Sequence, residues 1–224
     1  MKTRLLLTKL ALVATLSLTP LAPPLLASSD AHSDKAPAMP PADDIMASLI
    51  AGNRRFAGGT ATHPDQDARR RLAQAEGQTP TAIVLTCADS RVSPEICFDQ
   101  GIGTLFVIRN AGNVVDDHVI GSIEYAVSHL KVPLIIVMGH EKCGAVSAAI
   151  GGGHAPGHIH SIVESITPAV EAAKDLPGDQ VDNTVRTNAR HVAAILSRSE
   201  PILGSAVSAG TLKVVAGRYD IDTG

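Results

Sequence analysis

Two short runs of this 224-residue chain gather residues whose types and spacing suit chemistry: Cys87-Ala88-Asp89-Ser90-Arg91 and Gly139-His140-Glu141-Lys142-Cys143-Gly144. Two thiols and an imidazole are three of the four ligands of a tetrahedral zinc site, with the fourth position left for water or a carboxylate. Any one of these residues alone reads as core: a cysteine as a small buried hydrophobe, His140 as a satisfied core histidine. Their joint occurrence, with an acid and an arginine two and four residues beyond Cys87, points instead to a metal centre on Cys87, His140 and Cys143. Such a centre activates water, and Asp89 held by Arg91 could orient it.

The elements that must position these runs are legible from hydrophobic patterning. Residues 81–87 (TAIVLTC), 104–108 (TLFVI) and 133–138 (PLIIVM) are short apolar, β-branched stretches of the kind buried in a parallel sheet. Helical spacing covers Ile45, Met46, Leu49, Ile50 and Phe56, with Asp43 or Asp44 expected as the cap and Gly58-Gly59 as the stop. Ser93-Pro94-Glu95 is expected to start a helix, with the Ser93 hydroxyl as cap and Pro94 in the first turn, and further helices are expected over 120–130, near 159–174 and near 181–198, with a last strand at 212–216. Alternation of strand and helix predicts an α/β fold with a central, mostly parallel sheet flanked by helices, preceded by an N-terminal helical arm. Both reactive runs then stand directly after strands, where ligands collect in such sheets.

Composition narrows the function classes. Apolar residues make up 45% and charged residues 18%, which suits one globular domain. A formal charge of −3, two Tyr, three Phe and no Trp speak against nucleic-acid binding. Lys2 and Arg4 precede an apolar run over 5–18 that Pro20, Pro23 and Pro24 break short of the roughly 20 residues a bilayer span requires. Residues 1–29 are therefore expected to be a signal peptide, with cleavage after Ala27, Ser29 or Ala31, and 30–42 a flexible leader. The domain is expected over 43–224, in an exported, periplasmic protein without a membrane span once mature. Arg69-Arg70-Arg71 reads as a solvated helix face, and Cys97 as a buried hydrophobe. His154, His158 and His160 read as exposed imidazoles at a loop and helix start, and Gly101-x-Gly103 lacks the context of a dinucleotide site.

The two runs, as CADSR and HEKC, resemble the zinc motif of the β-class carbonic anhydrases, and the likeness extends over about residues 43–222 through LFVIRNAGN (105–113), GSIEYAVSHL (121–130) and GRYDIDTG (217–224). The resemblance implies one zinc ion per chain on Cys87, His140 and Cys143, and a catalytic pair of Asp89 and Arg91, with Asp89 able to act as a fourth ligand in a closed state. It further implies a substrate pocket of Gln78, Phe106, Tyr125 and the backbone amide of Gly144. The implied reaction is reversible hydration of CO2 to bicarbonate and a proton, in a homodimer or homotetramer. Val84 stands where some bacterial members carry a Trp of an inhibitory bicarbonate site, so that regulation is not expected. Two alternatives stay open on the sequence: hydrolysis of a CO2 analogue such as carbonyl sulfide or carbon disulfide on the same fold, and a non-catalytic zinc or thiol protein.

Overall fold

The four apolar runs form one sheet. In a computed structural model that describes residues 39–152 and 155–224, β1 (Ala82–Cys87), β2 (Leu105–Asn110), β3 (Leu134–His140) and β4 (Lys213–Tyr219) are all parallel, in the order β2-β1-β3-β4. The signal-peptide assignment, most of the leader and His154 lie outside the described residues. Every residue of β1 and β3 is buried, which is why both read as continuous apolar runs; the edge strands β2 and β4 are mostly half-exposed.

The connections supply α1 (Ala42–Ala57), α2 (Ala68–Ala73), α3 (Pro94–Cys97), α4 (Asp117–Leu130), α5 (Gly144–Gly151), α6 (Ile159–Ala173), α7 (Gln180–Ser197) and α8 (Leu203–Ser208). Strand alternation sorts the core onto two faces. Ile83, Leu85, Ile135 and Val137 pack with α4, α7 and α8 through Ile123, Val192, Leu196 and Leu203. Val84, Leu134, Ile136 and Met138 pack with Ile45 and Leu49 of the α1 arm and with Cys97, which is buried as expected.

Two capping expectations are corrected. Pro41, not an aspartate, occupies the N-cap of α1; Asp43 and Asp44 lie in the first turn, where they face the positive end of the helix dipole. Ser93 does sit at the N-cap of α3, but its hydroxyl donates to Glu95 Oε2 at 3.4 Å and caps no backbone N–H. Of the triple arginine on α2, Arg69 and Arg71 are exposed as expected, whereas Arg70 is half-buried and its Nε donates to the Ile102 carbonyl at 2.8 Å; the helix is capped by Asp67, which accepts from Arg70 N at 2.7 Å. Among the described residues no helix is long and apolar enough to cross a membrane.

Candidate metal centre

Register brings the three candidate ligands together. Thr86 pairs with Met138 across β1 and β3, and the buried Thr86 hydroxyl donates to the Met138 carbonyl at 2.8 Å, so that Cys87 and His140 finish neighbouring strands side by side. A two-residue turn, with Lys142 in the left-handed region at φ 54°, then sets Cys143 at the N-cap of α5. The thiol sulfurs of Cys87 and Cys143 and a ring nitrogen of His140 all lie within 4.8 Å of one another, and all three residues are buried.

His140 is the most informative of the three. Its side chain is fully buried, and Nδ1 lies 2.7 Å from the Glu141 carbonyl, to which it donates. That bond places the lone pair on Nε2, which is buried and has no hydrogen-bond partner. An orphaned buried nitrogen is costly, and it stands within a few ångströms of two sulfurs. This donor set of one imidazole and two thiols fits zinc. Electrostatics agrees: the neighbouring Cys143 thiol lowers the Cys87 pKa against the opposing effect of burial, with help from His140 and the Gly112 N–H, while Cys143 is raised by Cys87 and by burial. The two thiols are thus coupled, and a cation bound by both would hold them as thiolates.

Asp89 and Arg91 lie on the loop after β1. Asp89 Oδ1 accepts from Arg91 Nε at 2.9 Å and from its backbone N at 3.0 Å, and Oδ2 accepts from Nη2 at 2.7 Å. This fork holds the Asp89 carboxyl well below the usual carboxylate range. Asp89 Oδ2 stands 3.9 Å from His140 Nε2, which puts the carboxylate at the rim of the Cys87, His140 and Cys143 cluster. Arg91 Nη2 also donates to the Lys142 carbonyl at 3.3 Å, joining the two reactive runs.

Several supporting residues escaped the sequence reading. Arg109 of β2 donates to the carbonyls of Cys87 at 3.1 Å and Asp89 at 2.6 Å, fixing the loop between them. Arg218 of β4 binds the carboxylates of Glu141, Asp182 and Asp220, and so anchors the residue whose carbonyl orients His140. Gly139 admits α7: a Cβ there would come within 2.8 Å of Val185 Cγ1. Gly112, in the 3-10 turn Ala111–Asn113, donates its N–H to Cys87 Sγ at 3.3 Å. Asn188, buried on α7, donates its Nδ2 to the Gly112 carbonyl at 2.9 Å. The usable signals were a glycine just past a strand end and, for Asn188, an amide within the apolar stripe of α7.

The pocket residues fall differently. Gly144 opens α5 directly after Cys143, with open space where a side chain would be. Phe106 pairs with Ile83, four residues short of Cys87, roughly 13 Å along the sheet at the usual strand rise. Tyr125 on α4 is 48% exposed, with its ring centroid 6.4 Å from that of Phe106. Gln78 is exposed on the segment leading into the amino end of β1. The chain therefore keeps Phe106 and Gln78 towards the other end of its strands from its own Cys87, His140 and Cys143.

Comparison with known proteins matches the same region. The profile of a family described as carbonic anhydrase fits residues 82–224. Carbonic anhydrase 2 of Mycobacterium tuberculosis is 42% identical over 192 residues, covering 83% of this chain and 93% of that protein. A carbonic anhydrase of Mycolicibacterium smegmatis is 41% identical over the same shares. Among solved structures, one from a study of two tetrameric β-carbonic anhydrases of Sordaria macrospora superposes with a TM-score of 0.63 at 26% identity, over 80% of this chain and 93% of the other.

Proposed function

The chain belongs to the β-class carbonic anhydrases, and from that premise we propose that it hydrates CO2 reversibly to bicarbonate and a proton at one zinc ion held by Cys87, His140 and Cys143. Zinc held there supplies the Lewis acidity that makes water a competent nucleophile near neutral pH. The orphaned His140 Nε2 beside two thiols, with a forked Asp-Arg pair at its rim, is the observation that carries this reading.

The protein's own groups divide the remaining work. Asp89 accepts a hydrogen bond from the attacking water and so aims its lone pair at the CO2 carbon. Arg91 holds Asp89 in the fork, out of the fourth-ligand position that it would take in a closed state. The Gly144 N–H offers a donor for a substrate oxygen. Phe106 and Tyr125 suit a small apolar substrate as a wall, with Gln78 as an amide donor. Because Gln78 and Phe106 stand apart from the ligands within one chain, we assign this part of the pocket to a second copy in a homodimer or homotetramer. The half-exposed β2 edge and the exposed Tyr125 support that arrangement. The charged start and apolar run of residues 1–29 support export, and an intact Met1 on protein recovered from its native compartment would remove that assignment.

The direct test is stopped-flow CO2 hydration on zinc-loaded and chelator-stripped protein. Hydration far above the uncatalysed rate, lost on stripping and restored by zinc, is expected. Zinc-loaded protein that hydrolyses carbonyl sulfide while leaving CO2 untouched would move the function to the analogue hydrolases. Zinc-loaded protein inert towards both would leave a structural metal site.

A further inference from the structure

The Cys87 sulfur accepts the Gly112 N–H, and the bond depends on a backbone that glycine alone does not determine. Gly112 has φ 74° and ψ 12°, in the left-handed region, inside a turn that touches β1, β3, α5 and α6. A Cβ at this position would come within 2.7 Å of Ile166 Cδ1 and 3.2 Å of the Ala145 Cβ, so the turn is seated between α5 and α6 and only glycine fits. Glycine, however, populates positive and negative φ about equally, and nothing in its own stereochemistry holds its N–H on the sulfur.

The anchor comes from 76 residues further along the chain. Asn188 Nδ2 donates to the Gly112 carbonyl at 2.9 Å in a buried bond. Asn188 is 1% exposed on α7, within the buried stripe that includes Val185, Ala189 and Val192. An amide in that stripe is unfavourable on packing grounds, and its Oδ1 has no hydrogen-bond partner. A residue kept for packing alone would be apolar, like its neighbours; this one reaches a glycine that bonds a ligand sulfur.

We infer that Asn188 is a positioning residue of the metal centre, holding the Gly112 carbonyl so that the Gly112 N–H stays on the Cys87 sulfur. The inference rests on the zinc reading above. Two thiolates donate so much charge that the ion they bind is a weak Lewis acid, and an N–H on one sulfur withdraws part of it. The relay from Asn188 through Gly112 to Cys87 therefore tunes the ion from a helix that supplies none of the three ligands.

Two measurements test the relay. In wild-type protein loaded with 113Cd, the Gly112 amide proton should show scalar coupling to the metal through the Cys87 sulfur. In cobalt-loaded Asn188→Leu, which keeps the volume and loses the donor, the sulfur-to-cobalt charge-transfer band should move to longer wavelength, and zinc affinity should fall about 10- to 100-fold. Val192→Ala, which trims the same buried face of α7 without reaching Gly112, should leave the band where it is. If Asn188→Leu does not fold, Asn188→Ser, which stays polar and loses the reach, carries the same comparison. Absent coupling in the wild type overturns the relay, as does an unmoved band in the Asn188 variant or an equal shift in Val192→Ala. A chain that takes up no cadmium at all overturns the metal centre itself, and the relay with it.

Discussion

Replacing Asp89 by Asn should leave zinc in place and remove most of the CO2 hydration rate. The three ligands are untouched, so metal content should stay near one ion per chain. An amide keeps the shape of the carboxylate but carries no charge to hold the Arg91 fork, and half of its hydrogen-bonding face is a donor. Removing one preorganised group of this kind costs on the order of 2.7 to 4 kcal/mol in the transition state, or about a hundred- to a thousandfold in rate. Arg91→Ala should be similarly damaging, because it frees Asp89 from the fork to stay on the metal as a fourth ligand, where it excludes the water. The pair also has a pH signature. Since Arg91 depresses the Asp89 pKa, the pair's contribution to folding is fully present above the ordinary carboxylate pKa of about 3.9 and is lost only as pH falls through the folded value. Asp89→Asn should remove that part of the acid sensitivity. Stopped-flow rates with parallel zinc analysis decide the matter: a zinc-replete Asp89→Asn protein at near wild-type rate ends the role proposed for the pair and leaves the ligand assignment standing.

Cys143→Ala should lose the metal. The substitution removes a sulfur and little volume, at a buried N-cap position whose backbone alanine can keep, so the fold should tolerate it better than the site does. Two donors then remain where a structural zinc site uses four, and zinc should fall below about half an ion per chain after dialysis, taking hydration with it. Elemental analysis of the purified variant beside the wild type is sufficient. Full retention of zinc in Cys143→Ala would mean that another group completes the site and that the ligand set is wrong.

The parts of this site legible in the sequence are those that local pattern dictates. Cys87 and His140 were exposed to reading because each ends a strand buried on both faces, whose continuous apolar run makes its last residue easy to find. Cys143 followed from its spacing to His140. α5 left no such trace: Gly144-Ala145-Val146-Ser147-Ala148-Ala149-Ile150-Gly151 is small and apolar nearly all round, so it lacks the polar face that marks a surface helix. Asn188 and Gly112 were hidden for a different reason, since the bond between them spans 76 residues and only the packing of α7 onto the sheet creates it. The resemblance that brought Gln78, Phe106 and Tyr125 into the pocket carried no information about which chain they serve. The pairing of Phe106 with Ile83 supplies the distance that makes this a question.

The closeness of Cys87 and Cys143 has a redox consequence. Their sulfurs lie within 4.8 Å of each other, while Cys97 packs in a separate apolar cluster beneath α1. A disulfide needs about 2.05 Å, a gap that modest side-chain movement can close for the first pair. Metal and disulfide are thus rival occupants of the same two sulfurs, and oxidation of the ion-free chain would strike out two of its three ligands in one step. The ion that serves the reaction would also guard the enzyme against oxidative inactivation, and an empty site exposed to an oxidant would stay empty until a reductant reopened it.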